Sequence, residues 1–152
     1  EPVQHTDRPR VAPEVCENKL RIRLFHRGLE AGSGAKNCRP PAGADGGAAG
    51  LRDGNGLDAA VARPAMTFAG EDLYRDIPEK AAALMHSLVS NHPFVDGNKR
   101  VGAHAAVIFL AVNHWNLSAT PKDLEEITMT LAQGLDIEAL VVWFRQRTRP
   151  KD

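Results

Sequence analysis

At 152 residues, 43% of them hydrophobic, the chain fits one domain with one core. Lys+Arg and Asp+Glu number 19 each, so no basic excess points to nucleic acid or to an anionic membrane surface. The longest unbroken apolar run, Ala105 to Val112, is too short to cross a bilayer, and no secretory signal is expected at the start.

Cys16 and Cys38, the two cysteines, form no C-x-x-C pair and read as free thiols of a reducing cytoplasm. The first residue is Glu1 rather than Met, which points to a trimmed or altered beginning. Residues 1–13 hold three prolines and read as an irregular arm. Val15 to Leu29 predicts one modest helix with Leu20, Leu24 and Phe25 on one side. Residues 30–56 are rich in Gly, Ala and Pro and offer little to bury, so they read as linker. They match neither G-x-x-x-x-G-K-[ST] nor a strand-borne G-x-G-x-x-G. The division expected is therefore 1–50 as arm, helix and linker, and 51–149 as the domain.

From residue 57 onward the sequence reads as helical. Leu57 to Arg63 is a short helix ended by Pro64, followed by a turn-rich stretch, Thr67 to Tyr74. Asp76-Ile-Pro-Glu79 marks the next start, because Pro is tolerated in a first turn and acids suit its positive end. This helix is expected to reach Asn91, with Ala81, Leu84, Met85, Leu88 and Val89 buried, and to stop before Pro93. A helix from Asn98 to about Asn113 is apolar nearly all round, which predicts that it is the central, covered one. Thr120-Pro-Lys-Asp opens another that ends at Gly134. The last spans about Asp136 to Arg147, with Ile137, Leu140, Val141 and Phe144 inward. Arg145, Arg147, Arg149 and Lys151 read as a basic helix end favourably placed on the dipole. Strand-type alternation is weak everywhere, so the fold class expected is mainly α.

The chemistry concentrates at one junction, His92-Pro-Phe-Val-Asp96-Gly97-Asn98-Lys99-Arg100. A helix start presents unpaired N–H groups and the positive end of the dipole, which together favour phosphate. Gly97 lets an anion approach the backbone, Lys99 and Arg100 add fixed charge, and Asn98 adds an amide donor. Asp96, one carboxylate among phosphate-binding groups, makes sense as a Mg²⁺ ligand. His92 can accept a proton near neutral pH and so activate a hydroxyl. Taken singly, each of these residues has an ordinary structural reading; at this spacing the functional one prevails. His104 and His114 show no zinc-ligand spacing. A His-Asn-His nuclease of His92, Asn98 and His104 is disfavoured because such sites need a hairpin before the helix.

These nine residues resemble the Fic/Doc signature, H-x-F-x-[D/E]-G-N-[G/K]-R, at every defined position. Gly56 through Tyr74 is similar to the death-on-curing branch. The resemblance implies a compact helical domain with a central buried helix, and it implies a role for each signature residue. His92 is the general base that takes a proton from a hydroxyl of a target protein. Asp96 binds the Mg²⁺ that bridges the phosphates of ATP, Gly97 and Asn98 form the anion hole, and Lys99 and Arg100 hold phosphates. The Thr67–Tyr74 stretch corresponds to the flap that docks the target. Lys99 and Ala103 depart from the G-N-G-R-x-x-R continuation of the adenylyltransferases and resemble Doc, which phosphorylates elongation factor Tu; His104 stands where Asn is usual. The resemblance thus implies a cytoplasmic phosphoryl-transferring toxin controlled by an antitoxin partner. Adenylyl transfer is the alternative, and a catalytically silent binding module the second. The chain carries no convincing [ST]-x-x-x-E-[GN] inhibitory helix, which agrees with control by a partner.

Overall fold

The structure, a computed structural model, describes residues 50–152. The expected helix from Val15 to Leu29, both cysteines and most of the Gly-rich run lie outside the described residues. Within them, α1 spans Gly54–Ala62 and runs into a single 3₁₀ turn, Arg63–Ala65, that contains Pro64. The helix begins at Gly54 rather than Leu57, because the Asp53 carboxylate accepts the Gly56 N–H at 3.0 Å and caps it. Gly54-Asn55-Gly56, read as linker, is therefore a helix start.

Strands β1 (Thr67–Phe68) and β2 (Glu71–Asp72) form a small antiparallel hairpin in the stretch read as turns. Ala69 and Gly70, both at positive φ, make its two-residue turn. Helix α2 (Ile77–Asn91) starts where expected: Asp76 accepts the Glu79 N–H at 2.8 Å, and Pro78 lies in the first turn. Helix α3 spans Asn98–Val112, and β3 (Trp115–Leu117) comes next. Helix α4 (Pro121–Ala132) opens with a full capping box between Thr120 and Asp123, and Gly134 after it takes positive φ. Helix α5 (Ile137–Arg147) is capped by Asp136 and runs into β4 (Thr148–Pro150).

The central helix is α2, not α3. It packs against α1, the 3₁₀ turn, α3, α4 and α5, and it buries Lys80 and Ser87 together with Ala81 to Met85, Leu88 and Val89. Helix α3 turns Ala105, Ala106, Phe109 and Leu110 inward but leaves His104, Ile108 and Ala111 exposed. Polar residues hid the central position of α2, because each has a dedicated partner. Lys80, only 2% exposed, donates from Nζ to the Pro64 carbonyl and to Asp72 of β2, both at 3.0 Å. Ser87 Oγ accepts from Arg63 at 3.0 Å. A buried ammonium satisfied by two acceptors on the hairpin side costs far less than an unpaired one.

Arg63 is a second tie between these parts. Its Nε donates to the Tyr74 hydroxyl at 2.7 Å, and the guanidinium lies 5.9 Å from the Tyr74 ring centroid. Arg63 Nη1 also stands 3.5 Å from Nδ1 of the half-buried His86. Burial first, and then the Arg63 charge, lower the His86 pKa, while Glu138 opposes them.

The C-terminal segment departs from the expected helix end. Beyond Arg147 the chain extends, and β4 pairs antiparallel with β3, Leu117 opposite Thr148 and Trp115 opposite Pro150. Three-residue strands are too short to show an alternation. Arg149 nonetheless reaches back, donating to the carbonyls of Arg145 at 3.1 Å and Thr148 at 2.6 Å, so its charge still faces the negative end of α5. Arg145 pairs with Asp76 at 2.8 Å and also with Glu79, tying α5 to the start of α2. Among the described residues, no helix is long and apolar enough to cross a membrane.

Gly102 sets the separation of α2 and α3. A Cβ there would stand 2.7 Å from Cγ2 of Val89 and 3.4 Å from the Met85 carbonyl. Val89 is β-branched and cannot swing clear without strain. Gly102→Ala is expected to lower stability by about 1–2 kcal/mol in urea unfolding, overpacking outweighing the better helix propensity of Ala. The depressed pKa of His86 means that the unfolded chain takes up the proton first. Stability associated with His86 is therefore present above the ordinary value of 6.5 and is lost as pH falls below it towards the folded-state pKa. Thermal unfolding followed from pH 7.5 down to 5 is expected to show this loss, and His86→Gln to flatten it.

Candidate active site

Helix α2 ends at His92, which adopts the left-handed conformation, φ 46° and ψ 53°, unusual for a residue with a side chain. The turn points the chain away from the helix axis and leaves His92 exposed. Pro93 is buried, and Phe94 packs against the core and so anchors the loop. The loop closes at Gly97, again left-handed at φ 78°, and α3 starts at Asn98. The six expected site residues, His92, Asp96, Gly97, Asn98, Lys99 and Arg100, thus share one short loop and the first turn after it.

No side chain caps α3. Its first-turn N–H groups have no carbonyl within the helix to bond, and they carry the positive end of the dipole. A Cβ added at Gly97 would meet nothing within 4 Å, so the approach to these N–H groups is open. Lys99 and Arg100 are exposed, and neither forms an ion pair among the described residues. An anion-sized ligand with several negative oxygens matches this donor set.

One side chain, that of Asn98, is placed differently from the sequence reading. Asn98 does not offer its amide outward: Oδ1 accepts the Phe94 N–H at 2.9 Å and Nδ2 donates to the Phe94 carbonyl at 3.0 Å. The side chain brackets one residue of the loop, Phe94, through both of its main-chain polar groups, and what Asn98 has left at the helix start is its backbone N–H. Asp96 accepts the Gly97 N–H through Oδ1 at 2.6 Å, which orients the carboxylate and leaves its second oxygen for another partner. Among the described residues, no group of three or more His, Cys, Asp or Glu gathers as a metal cage. One exposed carboxylate beside an anion site nevertheless fits Mg²⁺, which keeps several waters and takes most remaining oxygens from a bound phosphate chain.

Sequence reasoning missed the segment just before α1. The backbone N–H groups of Arg52 and Asp53 donate to the Pro93 carbonyl at 2.7 and 3.0 Å, Val95 donates to the Gly50 carbonyl at 3.0 Å, and Leu51 bridges Phe94. The Arg52 side chain bonds the carbonyls of His92 and Asn91, and Asn91 bonds the Gly56 carbonyl. These residues looked like the end of a linker. The Asp53 cap position was the one signal that α1 starts before Leu57.

Comparison with known proteins bears on this geometry. The Fic/DOC family profile matches residues 19–110, a stretch that extends upstream of the described residues and contains the whole junction. Over 69 residues the chain is 52% identical to a protein named Toxin Doc from Mycolicibacterium smegmatis (strain ATCC 700084 / mc(2)155), covering 45% of this chain and 53% of that protein. The chain therefore spans about half the length of the curated relative it matches. With more than half of its residues within the family match, and helices, loop and helix start arranged as described, the chain belongs to the Fic/DOC family.

Proposed function

We propose that the chain is a Doc-like toxin that transfers the γ-phosphoryl group of ATP to a hydroxyl of a target protein in the cytoplasm. The observation that carries this reading is the pairing, across one short loop, of an exposed imidazole at His92 with an uncapped, cation-flanked helix start. The similarity to a Doc toxin supports the toxin assignment, and the family is a transferase group that acts on proteins. Phosphoryl rather than adenylyl transfer is favoured by the second turn of α3. Ala103 is apolar and packs against the core there, so that position supplies no guanidinium to grip an outer phosphate.

In this reading His92 takes the proton from the target hydroxyl as its oxygen attacks the γ-phosphorus. The bond from that phosphorus to the β–γ bridging oxygen breaks, and the electron pair leaves with ADP. The backbone N–H groups in the first turn of α3, approached over the bare Cα of Gly97, together with Lys99 and Arg100, hold the phosphate oxygens and stabilise charge that builds during transfer. Asp96 is the residue that would hold Mg²⁺, which supplies Lewis-acid neutralisation of the phosphates when bound. The β1–β2 hairpin, with Phe68 77% exposed, is the surface proposed to dock the target. A translation factor, with elongation factor Tu as the candidate, and a small antitoxin partner are part of the same proposal.

Incubation with γ-labelled and, separately, α-labelled ATP beside candidate targets tests it. Label from the γ position alone is expected, and His92→Ala is expected to lower the rate by about 10²–10⁴-fold. Label carried over from the α position instead replaces the kinase reading with adenylyl transfer. Unchanged cell toxicity of His92→Ala would leave a binding module that acts without chemistry.

A further inference from the structure

We propose that Arg52 is a positioning residue for His92, holding the backbone of the candidate base in place from outside the signature; this rests on the function proposed above. Three successive carbonyls at the end of α2 and in the loop, those of Asn91, His92 and Pro93, all accept from Arg52 or its neighbour. The Arg52 Nε donates to the His92 carbonyl at 2.9 Å and its Nη2 to the Asn91 carbonyl at 3.4 Å. The backbone N–H groups of Arg52 and Asp53 take the Pro93 carbonyl.

The last carbonyls of a helix have no intrahelical partner and carry the negative end of the dipole, so a guanidinium there is doubly favourable. His92 has a further need. Its left-handed backbone is disfavoured for any residue with a Cβ, and the direction of the imidazole depends on that backbone. The chain turns at this one residue from helix to loop, and a rotation of its peptide plane would re-aim the ring. Asn98 secures the far side of the same loop by bracketing Phe94. Nothing else among the described residues bonds the carbonyl of His92.

The side chain and the backbone of this segment have separable tasks. The main-chain bonds from residues 52 and 53 to Pro93, the bond from Val95 to Gly50 and the Leu51–Phe94 bridge persist when the side chain is changed. Arg52 is exposed and fills no space in the core. Its truncation therefore frees two carbonyls without opening a cavity, and the loss falls on the geometry of His92 rather than on folding.

The test compares wild type, Arg52→Ala, Arg52→Lys and a control, Lys122→Ala, which removes an exposed one-turn ion pair with Glu126. Two readouts are taken: steady-state transfer from ATP, and the ¹H–¹³C signal of the His92 ring, assigned by its disappearance in His92→Ala. Arg52→Ala is expected to lower kcat by about 10–100-fold with KM for ATP little changed, since a small misplacement of a catalytic group has effects of this size. The His92 signal is expected to shift or broaden, with Tm close to that of the control. Arg52→Lys, with one compact donor group, is expected to recover part of both. A raised KM with kcat unchanged would make Arg52 a nucleotide ligand and overturn the proposal. An unmoved His92 signal in Arg52→Ala would overturn it as well. If wild type transfers nothing from ATP, the functional reading fails, while the ring signal still decides whether Arg52 positions His92.

Discussion

The close approach of α2 and α3 at Gly102 governs how this domain is put together around its candidate site. With no side chain at that position, Val89 and the Met85 carbonyl lie where a Cβ would otherwise sit, and the two helices are drawn together. Only residues 92–97 are then left to carry the chain from one helix to the other. Such a short reversal needs abrupt changes of direction, and the structure supplies one at each end, His92 and Gly97, both left-handed. At Gly97 the absence of a Cβ makes that conformation easy. At His92 it is not easy, and the bonds from the Arg52 side chain and the Asn98 bracket compensate at neighbouring points of the loop. A helix–helix contact deep in the core thus dictates the geometry of an exposed loop, and with it the relation between an imidazole and a helix start.

The same logic explains why polar residues occupy the central helix. Helix α2 must be surrounded to present its end correctly, and the hairpin and the 3₁₀ turn meet one of its sides through polar groups. Lys80 and Ser87 join that side by hydrogen bonds instead, to Asp72, Pro64 and Arg63. Arg145 performs a similar service at the start of the helix, linking Asp76 and Glu79 to α5. The helix is fixed at its beginning by ion pairs, along its length by packing, and at its end by the segment before α1.

The range of each interaction decided whether it could be read from the sequence. Helix starts at Asp76, Thr120 and Asp136 were legible because a cap is a local device: an oxygen three residues before the N–H that it accepts. The inward residues Leu84, Met85, Leu88 and Val89 were legible from periodicity. The position of α2 at the centre was not, because Lys80 and Ser87 look solvent-facing until their partners on the hairpin and the 3₁₀ turn are known. Conversely, the apolar face of α3 includes Ile108 and Ala111, which remain exposed. Strands β3 and β4 escaped notice because their pairing joins residues more than thirty apart and each is three residues long. At the site, the nine-residue signature made the family resemblance legible. The placement of Asn98 was not, since an amide reads equally as ligand donor or as a clamp on its own loop. Arg52 was invisible because its partners lie forty residues away and its surroundings, rich in glycine, resemble a tether.

The Lys80–Asp72 tie has a consequence for how the hairpin varies. It secures the stem, whereas Phe68, Ala69 and Gly70 at the tip are exposed and carry none of the buried bonds. Sequence drift at Phe68 therefore leaves the folding free energy almost untouched, whereas Gly70, held at positive φ, resists a residue with a Cβ. A lineage of such domains could alter the shape offered to another protein one residue at a time, while the stem, the core and the loop beyond it stay the same.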